Sequence, residues 1–148
     1  MTGTLRIAAE NRVEDIGRVH EAFEAFSTGH GLPSAVRRAV RIVLDDVLHN
    51  IISYAYHDDE RHAIDVRVEV APGRVSVRVA DDGRPFDPLG HPAPDVTAEL
   101  DDREVGGLGI HLVSRLVDEA SYERSGDRNV LVLVKRFSGE SEGGEAQQ

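Results

Sequence analysis

Residues 64–81 read IDVRVEVAPGRVSVRVAD, with valine or isoleucine at every second place on both sides of a short break. Side chains alternate across a strand, so each run, 64–70 and 75–81, turns its branched residues to one face. The break, Ala71-Pro72-Gly73-Arg74, contains the residues that close a tight turn. Two strands joined this closely form a β-hairpin, and a fold assembled from hairpins favours an antiparallel or mixed sheet.

Upstream of the hairpin the apolar residues change period. Val36, Val40, Val43, Leu44, Val47, Leu48, Ile51 and Ala55 recur at three and four, a long helical stripe that stops near Tyr56. Pro33 suits the first turn of that helix. A preceding helix is expected from Arg12 to about Thr28, with Asn11 as its N-cap and Val13, Ile16, Val19, Phe23 and Phe26 on its apolar face. Gly29-His30-Gly31 ends it, and TLRIAA at 4–9 reads as an edge strand.

Downstream, residues 82–107 carry four prolines and several glycines, a length that suits a functional lid better than an ordinary connection. A helix from about Leu108 to Val117 follows, then strands at 120–124 and 129–135 around Ser125-Gly126-Asp127. The fold class expected is α+β, a two-layer α/β sandwich. Its sheet would be mixed but mostly antiparallel, with the helices on one face. One domain would fill residues 1–137, and the acidic tail at 138–148, SGESEGGEAQQ, has little to bury and should be disordered.

Composition narrows the chemistry. The absence of cysteine excludes disulfides, thiolate zinc sites and thiol nucleophiles together. A formal charge of -10 disfavours direct binding to nucleic acid or an anionic membrane. No basic leader with an apolar run is visible, and no stretch approaches a membrane span, so a cytoplasmic location is the default expectation.

Three stretches carry chemistry. In 44-LDDVLHN-50, Asp46 and Asn50 lie one helical turn apart at the border of the apolar stripe. An amide oxygen is a hard ligand suited to Mg²⁺, and a carboxylate beside it can orient or deprotonate a nucleophile. In 79-VADDGRPFDP-88, Asp81 ends a strand, where a carboxylate can accept a hydrogen bond from an exocyclic amine, and Gly83 permits close approach to a flat ring. In 106-GGLGIHLV-113, glycines leading into a helix can turn backbone N–H groups toward an anion. The first two also have a bland reading, respectively a solvated helix flank and an Asp-Gly turn, and the third lacks the Gly-x-x-x-x-Gly-Lys-Ser/Thr pattern, which makes a P-loop or dinucleotide reading poor. His57, Asp58, Asp59, Glu60 and His62 form a polar link that reads as a solvated turn, not a metal cluster.

Taken in order, Asp46-x-x-x-Asn50, Asp81-x-Gly83 and Gly107-x-Gly109 resemble the N, G1 and G2 boxes of the GHKL ATPase superfamily. Within it, DGRPFDP, GGLGIHLVSRLVDEASYER and NVLVLVK resemble the anti-sigma-factor serine/threonine kinases of the RsbW-like group. The resemblance implies a Bergerat ATP-binding fold, with ATP and Mg²⁺ as cofactors. It implies that Asn50 coordinates Mg²⁺ at the phosphates, that Asp81 binds the adenine amino group and that Gly83 admits the base. Gly106, Gly107, Leu108 and Gly109 would close over the phosphates as part of a lid at about 90–107. Asp46 matches a position that is usually glutamate and acts as the general base, so its reach is one methylene shorter here. In the final strand, where related proteins often carry a hydroxyl residue, this chain reads Val130-Leu131-Val132. The implied function is an anti-sigma regulator that phosphorylates a STAS-type antagonist and also binds a sigma factor, compatible with a homodimer. The competing class is a noncatalytic module in which nucleotide changes partner affinity without phosphoryl transfer.

Overall fold

A computed structural model describes residues 2–87 and 115–138. The elements are β1 (Gly3–Glu10), α1 (Val13–Gly29), α2 (Ser34–Tyr54), β2 (Ala63–Ala71), β3 (Arg74–Asp81), β4 (Glu119–Ser125) and β5 (Arg128–Arg136). Of the expected helix at 108–117 only residues 115–117 are described, and 115 and 116 are helical; its first part, the 90–107 lid, the glycines at 106, 107 and 109, and Leu108 lie outside the described residues, as does the tail beyond Ser138.

The hairpin forms as its alternation dictates, with Gly73 at φ 71 in the turn, a region where a Cβ is disfavoured. Val66 faces Val79 and Val68 faces Val77 across it. The described strands form one sheet in the order β1-β2-β3-β5-β4. Every pairing among them is antiparallel, so the mixed sheet allowed by the sequence resolves to an antiparallel one there. β1 is an edge strand, as expected.

The helices cover one face. Val43, Leu44, Val47, Leu48 and Ile51 of α2 join Ile16, Val19 and Phe23 of α1 in a single core with Ile64, Val66, Val68, Val75, Val77, Val79, Leu131 and Leu133. Asp65, Arg67 and Glu69 take the intervening, partly exposed places on β2. This makes the two-layer α+β sandwich that the sequence anticipates.

Two helix starts differ from expectation: Pro33 occupies the N-cap of α2 and not its first turn, and α1 starts otherwise too. Arg12, not Asn11, occupies the N-cap of α1, without a side-chain cap bond. Asn11 instead accepts a 2.9 Å bond from the His62 N–H and donates to the Glu60 carbonyl, joining β1 to the link before β2. Asp15 reaches back to accept the Glu10 N–H at 2.7 Å and satisfies a donor at that end. Val13 is 58% exposed, although Ile16 and Val19 on the same expected stripe are buried.

Candidate functional site

The site assembles where the end of β3 meets the end of α2. Ile51 and Ala55 anchor the last turns of α2 in the core, and the residues after β3 fold back onto that helix end. Arg84 donates its backbone N–H to the Ala55 carbonyl at 2.9 Å and its Nε to the Tyr54 carbonyl at 2.8 Å. These are carbonyls that a helix C-terminus leaves without intrahelical partners, and a cation there also suits the helix dipole. The Tyr54 and Phe86 rings lie 5.9 Å apart, which adds an apolar contact between the same two segments.

Gly83 is required by that contact. A Cβ built there would lie 2.8 Å from the Ala55 Cβ and closer still to its carbonyl oxygen. Glycine at this position therefore lets the loop lie against α2, a demand separate from any approach by a base. Asn50 stands one helical turn before Tyr54, and Asp46 one turn earlier still, on the helix whose end the loop touches.

Asp81 is 1% exposed, at the last position of β3. The Gly83 N–H donates to its Oδ1 at 2.8 Å, and Asn129 Nδ2 donates to the same oxygen at 2.9 Å. Burial raises the carboxyl above its ordinary 3.8; the Asn129 and Gly83 bonds pull it back, Asp82 pushes it up and Arg124 pulls it down. The two donors are what make a buried carboxylate tolerable.

Asn129 is the residue that sequence reasoning missed. It lies 2% exposed on β5, directly across from Asp81. Its Oδ1 accepts from the Phe86 N–H at 3.1 Å, the Tyr122 hydroxyl at 2.6 Å and Arg124 Nη1 at 3.2 Å. Its Nδ2 also donates to the Arg84 carbonyl at 2.8 Å, and Arg124 Nη1 donates to the Gly83 carbonyl at 2.8 Å. The strand-end signal was present in NVLVLVK, whose only polar residue before the lysine is Asn129. Its meaning depends on a cross-strand register that the sequence alone does not display.

On α2, Asp46 and Asn50 are both half-buried at the border of the apolar stripe. Burial raises the Asp46 carboxyl above 3.8, the adjacent Asp45 raises it further, and His49 lowers it. Such a shift moves a carboxylate toward the range useful for proton abstraction near neutral pH. Asp45 and His49 have structural partners: His20 Nε2 bonds Asp45 Oδ1 at 3.1 Å between α1 and α2, and His49 Nδ1 bonds the Asp45 carbonyl at 3.0 Å.

The polar link after α2 is more ordered than a solvated turn. His62 Nε2 bonds Asp58 Oδ1 at 2.9 Å, Nδ1 lies 3.4 Å from Asp82, and the ring stacks on Tyr56 with centroids 4.3 Å apart. The Asp58 bond raises the His62 pKa most, against a smaller lowering by burial, with Asp58 and Asp82 charges adding to the rise. Tyr56 donates its hydroxyl to Asp82, and burial, followed by Asp81 and Asp82, pushes its pKa upward. Among the described residues no group of three acidic, histidine or cysteine side chains could by itself hold a metal ion. No described helix is long and apolar enough to cross a membrane.

The family model for the histidine kinase-like ATPase domain matches residues 9–135. The chain is 30% identical over 106 residues to the serine/threonine-protein kinase BtrW of Bordetella bronchiseptica, covering 72% of this chain and 75% of that protein. It is 31% identical over 107 residues to the serine-protein kinase RsbW of Bacillus velezensis, covering 68% of this chain and 65% of the relative. With RsbW of Listeria monocytogenes the identity is 22% over 143 residues, covering 94% and 88%.

Proposed function

The chain belongs to the histidine kinase-like ATPase domain family, and from that premise we propose that it is an ATP-dependent protein serine/threonine kinase acting on a STAS-type antagonist, and that it also binds a sigma factor. The observation that carries the reading is the buried Asp81 carboxylate, held by donors on Oδ1 beside a loop that packs on α2 one turn past Asn50. Oδ2 takes the adenine amino group as a third donor, and the Gly83 backbone borders the ring. Gly106, Gly107, Leu108 and Gly109 are assigned to the phosphates, within a lid at about 90–107. Relatives named as serine-protein kinases support the kinase assignment.

The divalent ion fits the donor set. Mg²⁺ keeps most of its ligands as water and phosphate oxygens, so a single protein amide from Asn50 is sufficient where the described residues offer no acidic cage. When bound, the ion would neutralise charge developing on the phosphate oxygens. Asp46 takes the proton from the partner's hydroxyl while that oxygen bonds to the γ-phosphorus and the bond to the bridging oxygen of ADP breaks. Its raised pKa suits that step. Its side chain, shorter than glutamate, places the base farther from the hydroxyl, and proton transfer is sensitive to displacements of about 1 Å.

That shorter reach favours a second reading, in which bound nucleotide alters partner affinity and no phosphoryl group moves. Incubation with γ-labelled ATP, Mg²⁺ and a STAS-type antagonist separates the two. The kinase reading expects label on the antagonist, lost in Asp46→Ala and in Asn50→Ala. ATP binding without label on an antagonist that binds the protein would sink it in favour of the second reading. Absence of ATP binding would remove both.

A further inference from the structure

We propose that Asn129 is a positioning residue that fixes the choice of base, by locking Asp81 as a hydrogen-bond acceptor and so selecting a 6-amino over a 6-oxo purine nucleotide. The inference rests on the assignment of Asp81 to the base and goes beyond it by naming the group that sets its selectivity.

The argument is one of hydrogen-bond satisfaction. A primary amide has two donors on nitrogen and an oxygen that accepts. Around Asn129 the donors and acceptors are sorted. The Phe86 N–H, the Tyr122 hydroxyl and Arg124 Nη1 converge on its oxygen, while Asp81 Oδ1 and the Arg84 carbonyl receive its nitrogen. Reversing the amide would set its oxygen against two acceptors and its NH₂ against at least two obligate donors. At 2% exposure water cannot repair such a mismatch, so the amide has one orientation.

That orientation passes to Asp81. Oδ1 is engaged by Asn129 Nδ2 and the Gly83 N–H, and neither can accept a proton from it. A proton on Oδ1 would break both bonds, and a proton on Oδ2 would leave Oδ1 a neutral carbonyl that accepts them more weakly, so the bonds favour the ionised form. Its remaining oxygen, Oδ2, then presents lone pairs alone. An exocyclic amine is attracted to such an oxygen, whereas a carbonyl at the same ring position meets it oxygen to oxygen. A site built around a buried donor–acceptor match rejects a mismatched analogue strongly.

The charged and titratable groups around Asp81 are Asp82 on the following loop, Tyr56 past the end of α2, and Arg124 and Tyr122 on β4. None of these donates a hydrogen bond to Asp81 in the structure. Asn129 is therefore the side chain that sets the state of Oδ1.

Asn129→Asp tests this with little change of shape. The new carboxylate can still accept from Phe86, Tyr122 and Arg124, so the fold should survive, but it faces Asp81 with no donor. Two carboxylates at that distance share one proton, and one of them titrates upward. Binding of ATP and of inosine triphosphate, its 6-oxo counterpart, is measured by calorimetry for both proteins across about pH 5.5 to 8.5. The parent should favour ATP by roughly 100-fold or more, at a ratio that is flat with pH. In Asn129→Asp the preference should fall at least about tenfold, by a factor that changes with pH, since a proton on Asp81 lets it donate to the 6-oxo group. Should Asn129→Asp fail to fold, Asn129→Ser serves, beside Tyr122→Phe. Tyr122→Phe leaves the Phe86 and Arg124 donors and both acceptors of the amide in place, so the ratio should stay at the parent value, while Asn129→Ser, too short to reach both Asp81 Oδ1 and the Arg84 carbonyl, should lower it a few-fold. An Asn129→Asp or Asn129→Ser protein that folds and keeps the parent ratio at every pH overturns the proposal while leaving nucleotide binding standing. A parent that binds neither nucleotide overturns the base assignment itself.

Discussion

Gly83 lies against Ala55: a Cβ at position 83 would stand 2.8 Å from the Ala55 methyl carbon and closer still to its carbonyl oxygen. Gly83→Ala should accordingly push the loop off the helix. Overpacking of this kind costs about 1–3 kcal/mol, read as a lower urea midpoint. ATP affinity should fall with it, since Asp81 Oδ1 loses the Gly83 donor as the loop moves. A variant with unchanged midpoint and affinity would show that the loop can yield without cost.

The core beneath the site sets a second expectation. Leu48 is 1% exposed on α2, between Asp46 and Asn50 in sequence. Leu48→Ala should lower stability by about 2–5 kcal/mol, measured by chemical denaturation, with residual nucleotide affinity at low temperature close to that of the parent.

In the proposed kinase, Asp46 would link activity to stability with opposite signs. Because folding raises its pKa, protonation is favoured in the folded state. Stability contributed at Asp46 is fully present below 3.8 and is lost as pH rises through the folded value. Asp46→Asn removes that loss, so it should be more stable than the parent at neutral pH and the two should converge in acid. Phosphoryl transfer should drop by roughly 100-fold or more while ATP binding persists. Paired urea titrations at two pH values and a label-transfer assay check both halves.

His62 gives the neutral-range counterpart. Its folded pKa is raised above 6.5, so its contribution is complete below 6.5 and disappears as pH climbs through the folded value. Parent stability should therefore decline between about pH 6 and 8 more steeply than that of His62→Gln. Identical slopes in the two proteins would show that the Asp58 and Asp82 contacts do not favour the charged ring.

Periodicity made most of the fold legible. The valines of 64–81 and the stripe from Val36 to Ala55 encode local geometry directly, and their burial follows. Val13 misled because period alone does not tell how much of a helical stripe its neighbours cover. Asp81 could be singled out from its place at a strand end, and Asp46 with Asn50 from their spacing. Asn129 could not, because it acquires its role from a partner 48 residues away, through strand pairing. His62 was hidden for a similar reason, being held by Asp58, Asp82 and Tyr56 from both sides of the hairpin.

The two bonds from Arg84 to Ala55 and Tyr54 also bear on local opening. They tie the final turn of α2 to the loop after β3, so neither can fray while the other stays closed. Regions coupled this way exchange their amide hydrogens as one cooperative unit. The amides of Ala55 and Arg84 should share a common opening free energy, and nucleotide held at Asp81 should slow the exchange of both, carrying protection from the base site into the helix that bears Asp46.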